Sequence, residues 1–167
     1  SRLVIVVEKP SDWGSYYPSE DVVSANDYLR NEDAAGSNDR VQVINLCSSY
    51  KYLGVGYYVS LLAEARGHRV IPSVRTLNDL RRRSLYGFDL DDLNQRLGKY
   101  LRDRKDSTAF SIGVYFGHTR HEPLAELARQ VFEAFPCPIL RIEFERERVW
   151  QISAIKPASL TSLDPEQ

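Results

Sequence analysis

The run Leu3-Val4-Ile5-Val6-Val7 is apolar at every position and rich in β-branched side chains. That pattern predicts a strand covered on both faces, a central strand of a parallel sheet. From Glu8 to Glu20, Pro10, Gly14 and Pro18 stand among Trp13, Tyr16 and Tyr17, which predicts a turn-rich loop whose aromatics cover one edge of the core. Val22-Val23 predicts a short strand, Ser24 caps a short helix over Asn26 to Leu29, and the polar stretch Asn31 to Arg40 leads into a strand over Val41 to Leu46.

The period then changes. Over Gly56 to Arg66, Tyr57, Leu61 and Ala65, flanked by Val59, Leu62 and Ala63, form a helical stripe that Gly67 stops. Arg69 to Pro72 predicts another short strand. Thr76-Leu77-Asn78-Asp79 has the form of a helix start for a segment carrying Arg81, Arg82 and Arg83. Leu90, Leu93, Leu97 and Leu101 recur at helical spacing between Asp89 and Arg102. Ala109 to Phe116 is strand-like, and Glu122-Pro123 opens a helix whose apolar face is Leu124, Leu127, Ala128, Val131 and Phe135, ended by Pro136. Ile139 to Phe144 and Val149 to Ile155 alternate with period two, which predicts an antiparallel hairpin at the sheet's edge. Strands alternating with helices make this an α/β fold: a mainly parallel, Rossmann-like sheet flanked by helices, with right-handed crossovers and a C-terminal antiparallel hairpin. One domain over 1–157 is expected, followed by a polar, proline-bearing linker over 158–167.

Composition narrows the function classes. A chain of 167 residues suits a single core, and 22 basic against 23 acidic residues give a net charge of −1, which argues against disorder and general nucleic-acid affinity. Leu3 to Val7 is the longest apolar run, far short of the ~18 residues of a membrane-spanning helix. A soluble chain without a signal peptide is expected, and Ser1 as first residue fits a processed or engineered N-terminus. Cys47 and Cys137 lack the number and spacing of a disulfide framework or a zinc site, so a reducing, cytoplasmic setting is the default.

Ligands of parallel α/β sheets gather in loops at the carboxyl ends of strands. The first such loop, Cys47 to Tyr58, combines the hydroxyls of Ser48 and Ser49, the Lys51 ammonium, the tyrosines Tyr50, Tyr52, Tyr57 and Tyr58, and a helix N-terminus near Gly56. Free N–H groups there attract carboxylate or phosphate. The plain alternative is that the serines turn the chain, Gly54 and Gly56 permit close backbone approach, and the tyrosines cap the core. The second loop, Gly117 to Glu122, offers His118 and Arg120 as anion contacts, or is a solvated cap; His118 and His121 lack the fixed face that metal-binding histidines share on a helix. Cys47 has a nucleophile reading, because a helix N-terminus lowers a thiol's pKa, beside a buried structural one. Arg81 to Arg83 read as a solvated face, and Trp150 and Phe144 as core or interface. No Gly-x-x-x-x-Gly-Lys-Ser/Thr loop, Gly-x-Ser-x-Gly elbow or His-Glu-x-x-His motif is present, so no catalytic residue and no metal site is assigned, and the chain alone is not expected to bind or hydrolyse ATP.

The run Asn45-Leu46-Cys47-Ser48-Ser49-Tyr50-Lys51-Tyr52, followed by Gly56-Tyr57-Tyr58-Val59-Ser60-Leu61-Leu62-Ala63-Glu64-Ala65-Arg66-Gly67-His68, resembles the N-terminal domain of RimK-like ATP-grasp ligases. The resemblance continues in Pro72-Ser73-Val74, Val114-Tyr115-Phe116-Gly117, Phe135-Pro136-Cys137-Pro138 with Leu140-Arg141, and Ile155-Lys156-Pro157 with Leu160, and so covers nearly the whole chain. It implies a parent enzyme of bacterial type that activates a carboxylate with ATP and Mg²⁺ and joins it to an amine, as glutamate ligases do. This chain would be its non-catalytic leading module, serving substrate recognition, interdomain packing or dimerisation, with the cofactors held by a following ATP-grasp domain. The partners so implied are that domain, a small amino-acid or peptide substrate and a second copy of the chain. Asp92-Leu93-Asn94 is superficially similar to the acidic-x-Asn magnesium pair but lacks a companion carboxylate and a glycine-rich loop. Two rival readings stand beside it: a free-standing domain that binds a small anion or amino acid, and an enzyme with Cys47 as nucleophile.

Overall fold

The structure, a computed structural model, describes residues 2–13, 21–30, 40–82, 88, 95 and 108–159. The predicted helix over Asp89 to Arg102, with Asp92 and Asn94, falls outside them apart from residue 95, as do Tyr16, Tyr17, Arg83 and all but the first two residues of the expected linker.

Strands β1 (Arg2–Val7), β2 (Val22–Ser24), β3 (Val41–Leu46) and β4 (Arg69–Ile71) form a parallel sheet in the order β2-β1-β3-β4. β1 is internal, with Ile5 opposite Val22 on one side and Ile44 on the other. That position explains its uninterrupted apolar sequence. Helix α1 (Ala25–Arg30) starts where the Ser24 hydroxyl accepts the Asp27 N–H at 3.1 Å, and α2 (Val55–Ala65) connects β3 to β4. The core of this half joins Val4, Val6 and Val43 to Tyr28 of α1 and to Val59 and Ala63 of α2.

The stripe predicted for α2 is rotated. Gly56, Tyr57, Val59, Ser60 and Ala63 are the buried positions, while Leu61 and Ala65 are exposed and Leu62 is half-buried. Small residues face the sheet because α2 lies close upon it, so the bulky leucines are turned outward. Helix α3 (Val74–Leu80) starts three residues before the predicted signal. Ser73, in extended conformation, accepts the Thr76 N–H at 3.0 Å, so Thr76 is an internal residue and Arg81 caps the C-terminal end.

Strands β5 (Ala109–Tyr115), β6 (Ile139–Arg146) and β7 (Trp150–Pro157) form a second, antiparallel sheet in that order. The hairpin therefore does not edge the parallel sheet. β5 pairs with β6 along its whole length, and Phe110 stacks on Phe144 at 4.7 Å and meets Trp150 edge-on at 5.1 Å. A short 3-10 turn over Glu122–Leu124 leads into α4 (Ala125–Ala134). The predicted face of Leu124, Leu127, Ala128, Val131 and Phe135 is buried as expected, against Ile112, Val114, Leu140 and Ile142. Val7, Leu46 and Ile139, with Tyr115 and Ala158 against them, close the seam between the two sheets.

Candidate functional site

In the order β2-β1-β3-β4 the chain leaves β1 toward one edge and β3 toward the other. Such a switch point opens a crevice at the carboxyl ends of the two strands, where ligands of parallel sheets sit. Glu8 follows β1 there, and Cys47-Ser48 follow β3.

The β3–α2 loop is fixed from beneath by Asn45. Its buried amide nitrogen donates to the Gly56 carbonyl at 2.8 Å and to Ser60 Oγ at 2.9 Å, and its oxygen accepts the Cys47 N–H at 3.1 Å. Ser60 in turn donates to the Pro72 carbonyl at 2.6 Å. A Cβ at position 56 would lie 2.1 Å from the Ser49 carbonyl oxygen, so only glycine lets α2 begin so close to the loop. Tyr50 donates its hydroxyl to the Asn45 carbonyl at 2.5 Å, and burial pushes its phenol well above the ordinary pKa. The Gly54 N–H closes a turn on the Lys51 carbonyl at 2.8 Å.

This loop forms one wall of a cleft of about 480 Å³ that also receives the end of α3 and the last residues of β7. Ser48, Ser49, Tyr50 and Lys51 face Arg81 and Lys156 across it, and among the described residues that line it none is acidic. Lys156 Nζ stands 3.5 Å from Glu143, whereas among the described residues no carboxylate pairs with Lys51 or Arg81. Arg81 donates to the Tyr50 carbonyl at 3.4 Å, and its guanidinium lies 5.3 Å from the Tyr52 ring centroid. Ser48 Oγ donates to the Glu8 carboxylate. The cleft thus combines three cationic heads, hydroxyl groups and a half-buried phenol, the chemistry of an anion site.

Of the predicted site residues, Ser48, Ser49, Tyr50 and Lys51 line the cleft. Tyr52 is exposed at its mouth beneath Arg81, and Tyr57 packs edge-on against Tyr52 at 5.2 Å. Gly56 acts through backbone fit. His118 and Arg120 are exposed elsewhere, in and after a tight turn in which Tyr115 and His118 exchange backbone hydrogen bonds of 2.7 and 2.9 Å. Among the described residues no group of His, Cys, Asp and Glu is placed to hold a metal ion.

The nucleophile reading of Cys47 fails. Its side chain is fully buried, and burial, then the charges of Glu8 and Asp12, pushes the thiol up to about 12. Cys137 is likewise buried and pushed up to about 12. Arg81, read from sequence as part of a solvated face, is indeed exposed, and just past the end of its helix at Leu80 it also lines the cleft. Glu8 and the cleft role of Lys156 carried no local signal, since they converge only through sheet topology.

Compared with known proteins, the chain matches a family model described as RimK-like ATPgrasp N-terminal domain over residues 25–167. No curated protein and no solved structure matches it.

Proposed function

The chain belongs to the RimK-like ATP-grasp N-terminal domain family, and on that premise we propose that it is the leading, non-catalytic module of an ATP-dependent carboxylate–amine ligase, whose cleft receives an anionic group of a small amino-acid or peptide substrate. The observation that carries this reading is the convergence of Lys51, Arg81 and Lys156 on one cleft whose described lining residues include no carboxylate. Lys51 and Arg81, with which no carboxylate pairs among the described residues, share the cleft with Lys156, and an anionic occupant offsets the repulsion among these cations. ATP and Mg²⁺, which supply acyl activation in such ligases, are assigned to an ATP-grasp domain of the same polypeptide, because this sequence has no phosphate-cradling loop.

The test is steady-state ligation by the polypeptide carrying both domains. Charge-assisted hydrogen bonds contribute about 1.5–3 kcal/mol each, so Lys51→Gln with Arg81→Gln raises KM for the carboxylate substrate by about tenfold or more. KM for ATP and the thermal unfolding midpoint stay unchanged. An unaltered substrate KM in the folded variant removes the cleft from the reading. The interdomain packing role is supported by a different face, an apolar groove on the outside of α1 and α2 formed by Leu29, Val55, Tyr58, Leu61, Leu62 and Ala65. Its occupant in this reading is the ATP-grasp domain.

A further inference from the structure

The Ser48 hydroxyl lines the cleft, yet its single proton is already donated to Glu8. Glu8 comes from the loop after β1, next to Ser48 across the switch point, and is half-buried. A negative charge is therefore held one hydrogen bond behind a cleft wall, in a cleft that Lys51, Arg81 and Lys156 also line. If the site served plain anions, this carboxylate would oppose them twice, by repulsion and by holding the hydroxyl proton that an anion needs. A ligand with an ammonium group beside its carboxylate reverses both effects. Its carboxylate faces Lys51, Arg81 and Lys156, while its N–H groups donate to the Ser48 hydroxyl oxygen, which the bond to Glu8 leaves as an acceptor with a negative charge behind it.

We propose that Glu8 is the specificity-determining residue of the cleft, favouring ligands that carry an ammonium group next to a carboxylate over plain carboxylates. Discrimination by placing a like charge against the wrong ligand is an economical device, because it leaves the cationic wall intact. The inference rests on the cleft reading above, deepens it from anion to zwitterion, and concerns recognition alone.

Calorimetric titration of the full 167-residue chain tests it with matched probes, L-aspartate against succinate and L-glutamate against glutarate, which differ by the ammonium group. The amino acids are expected to bind the unaltered chain about tenfold more tightly than their deaminated partners. Glu8→Gln, which keeps an oxygen to accept from Ser48, brings each pair to within about twofold, chiefly by strengthening the plain acids. Glu8→Ala gives the same convergence and replaces Glu8→Gln if that variant fails to show cooperative thermal unfolding. A preference that survives Glu8 removal, with all probes still binding, overturns the role of Glu8 and leaves the cleft reading in place. Absence of binding by all four probes, or binding that Lys51→Gln does not weaken, overturns the cleft reading and this inference with it.

Discussion

Asn45 supports the cleft wall from beneath and is not among its described lining residues. One buried amide serves the Gly56 carbonyl, the Ser60 hydroxyl and the Cys47 N–H, so its loss orphans backbone groups that water cannot reach. Asn45→Ala is expected to cost about 3 kcal/mol, read as a lower urea midpoint at unchanged slope. The two thiols give a second residue-scale expectation. Between the ordinary value of 9.0 and the shifted one of about 12, the folded state holds more protons at Cys47 and Cys137 than the unfolded chain does. Stability therefore falls as pH rises through that window, and the fall steepens where Tyr28 and Tyr50, also raised by burial, join it. Urea titrations at about pH 7 and about pH 10 check this, with a smaller drop in the double variant Cys47→Ala, Cys137→Ala. Ser48 to Lys51 were legible as cleft residues because hydroxyls and an ammonium follow a buried strand. Asn45 carried no such signal, since an asparagine near the end of a strand gives no sign of what it holds.

At the scale of elements, periodicity is read most safely where one face alone is apolar. In α4 charged residues alternate with a narrow stripe, and the five predicted positions, from Leu124 just before the helix to Phe135 just after it, are buried. In α2 apolar residues occur nearly all round, so spacing could not choose between the leucine face and the small-residue face. Packing against the sheet chose the latter. Val59→Ala should thus cost about 2 kcal/mol, while Leu61→Ala stays within about 0.5 kcal/mol. Thermal or urea unfolding of both variants decides it. A comparable loss at Leu61 that grows with protein concentration would mean that a second copy buries this face in solution. The start of α3 was misread for a related reason: Ser73 and Thr76 each begin a plausible cap, and only the extended backbone at Ser73 selects between them.

For the whole molecule, strand identity was legible but sheet membership was not. Alternation in Ile139 to Phe144 marks a half-covered strand without saying which neighbour β5 will take, and the long-range pairing of β5 with β6 settles that. The same limit hid the cleft. Lys51, Arg81 and Lys156 meet only because α3 and β7 are brought to the β3–α2 loop across the seam. The walls of the cleft consequently belong to separately hydrogen-bonded sheets, and it exists only while they are docked. States in which the sheets part cannot hold a ligand, so each bound molecule depletes them by mass action. Under the proposed function, occupancy becomes a fastener: the concentration of the small molecule would set how often the seam of Val7, Leu46 and Ile139 breathes, and the β7 end at Pro157 would respond to a ligand held some hundred residues earlier in the chain, at Lys51.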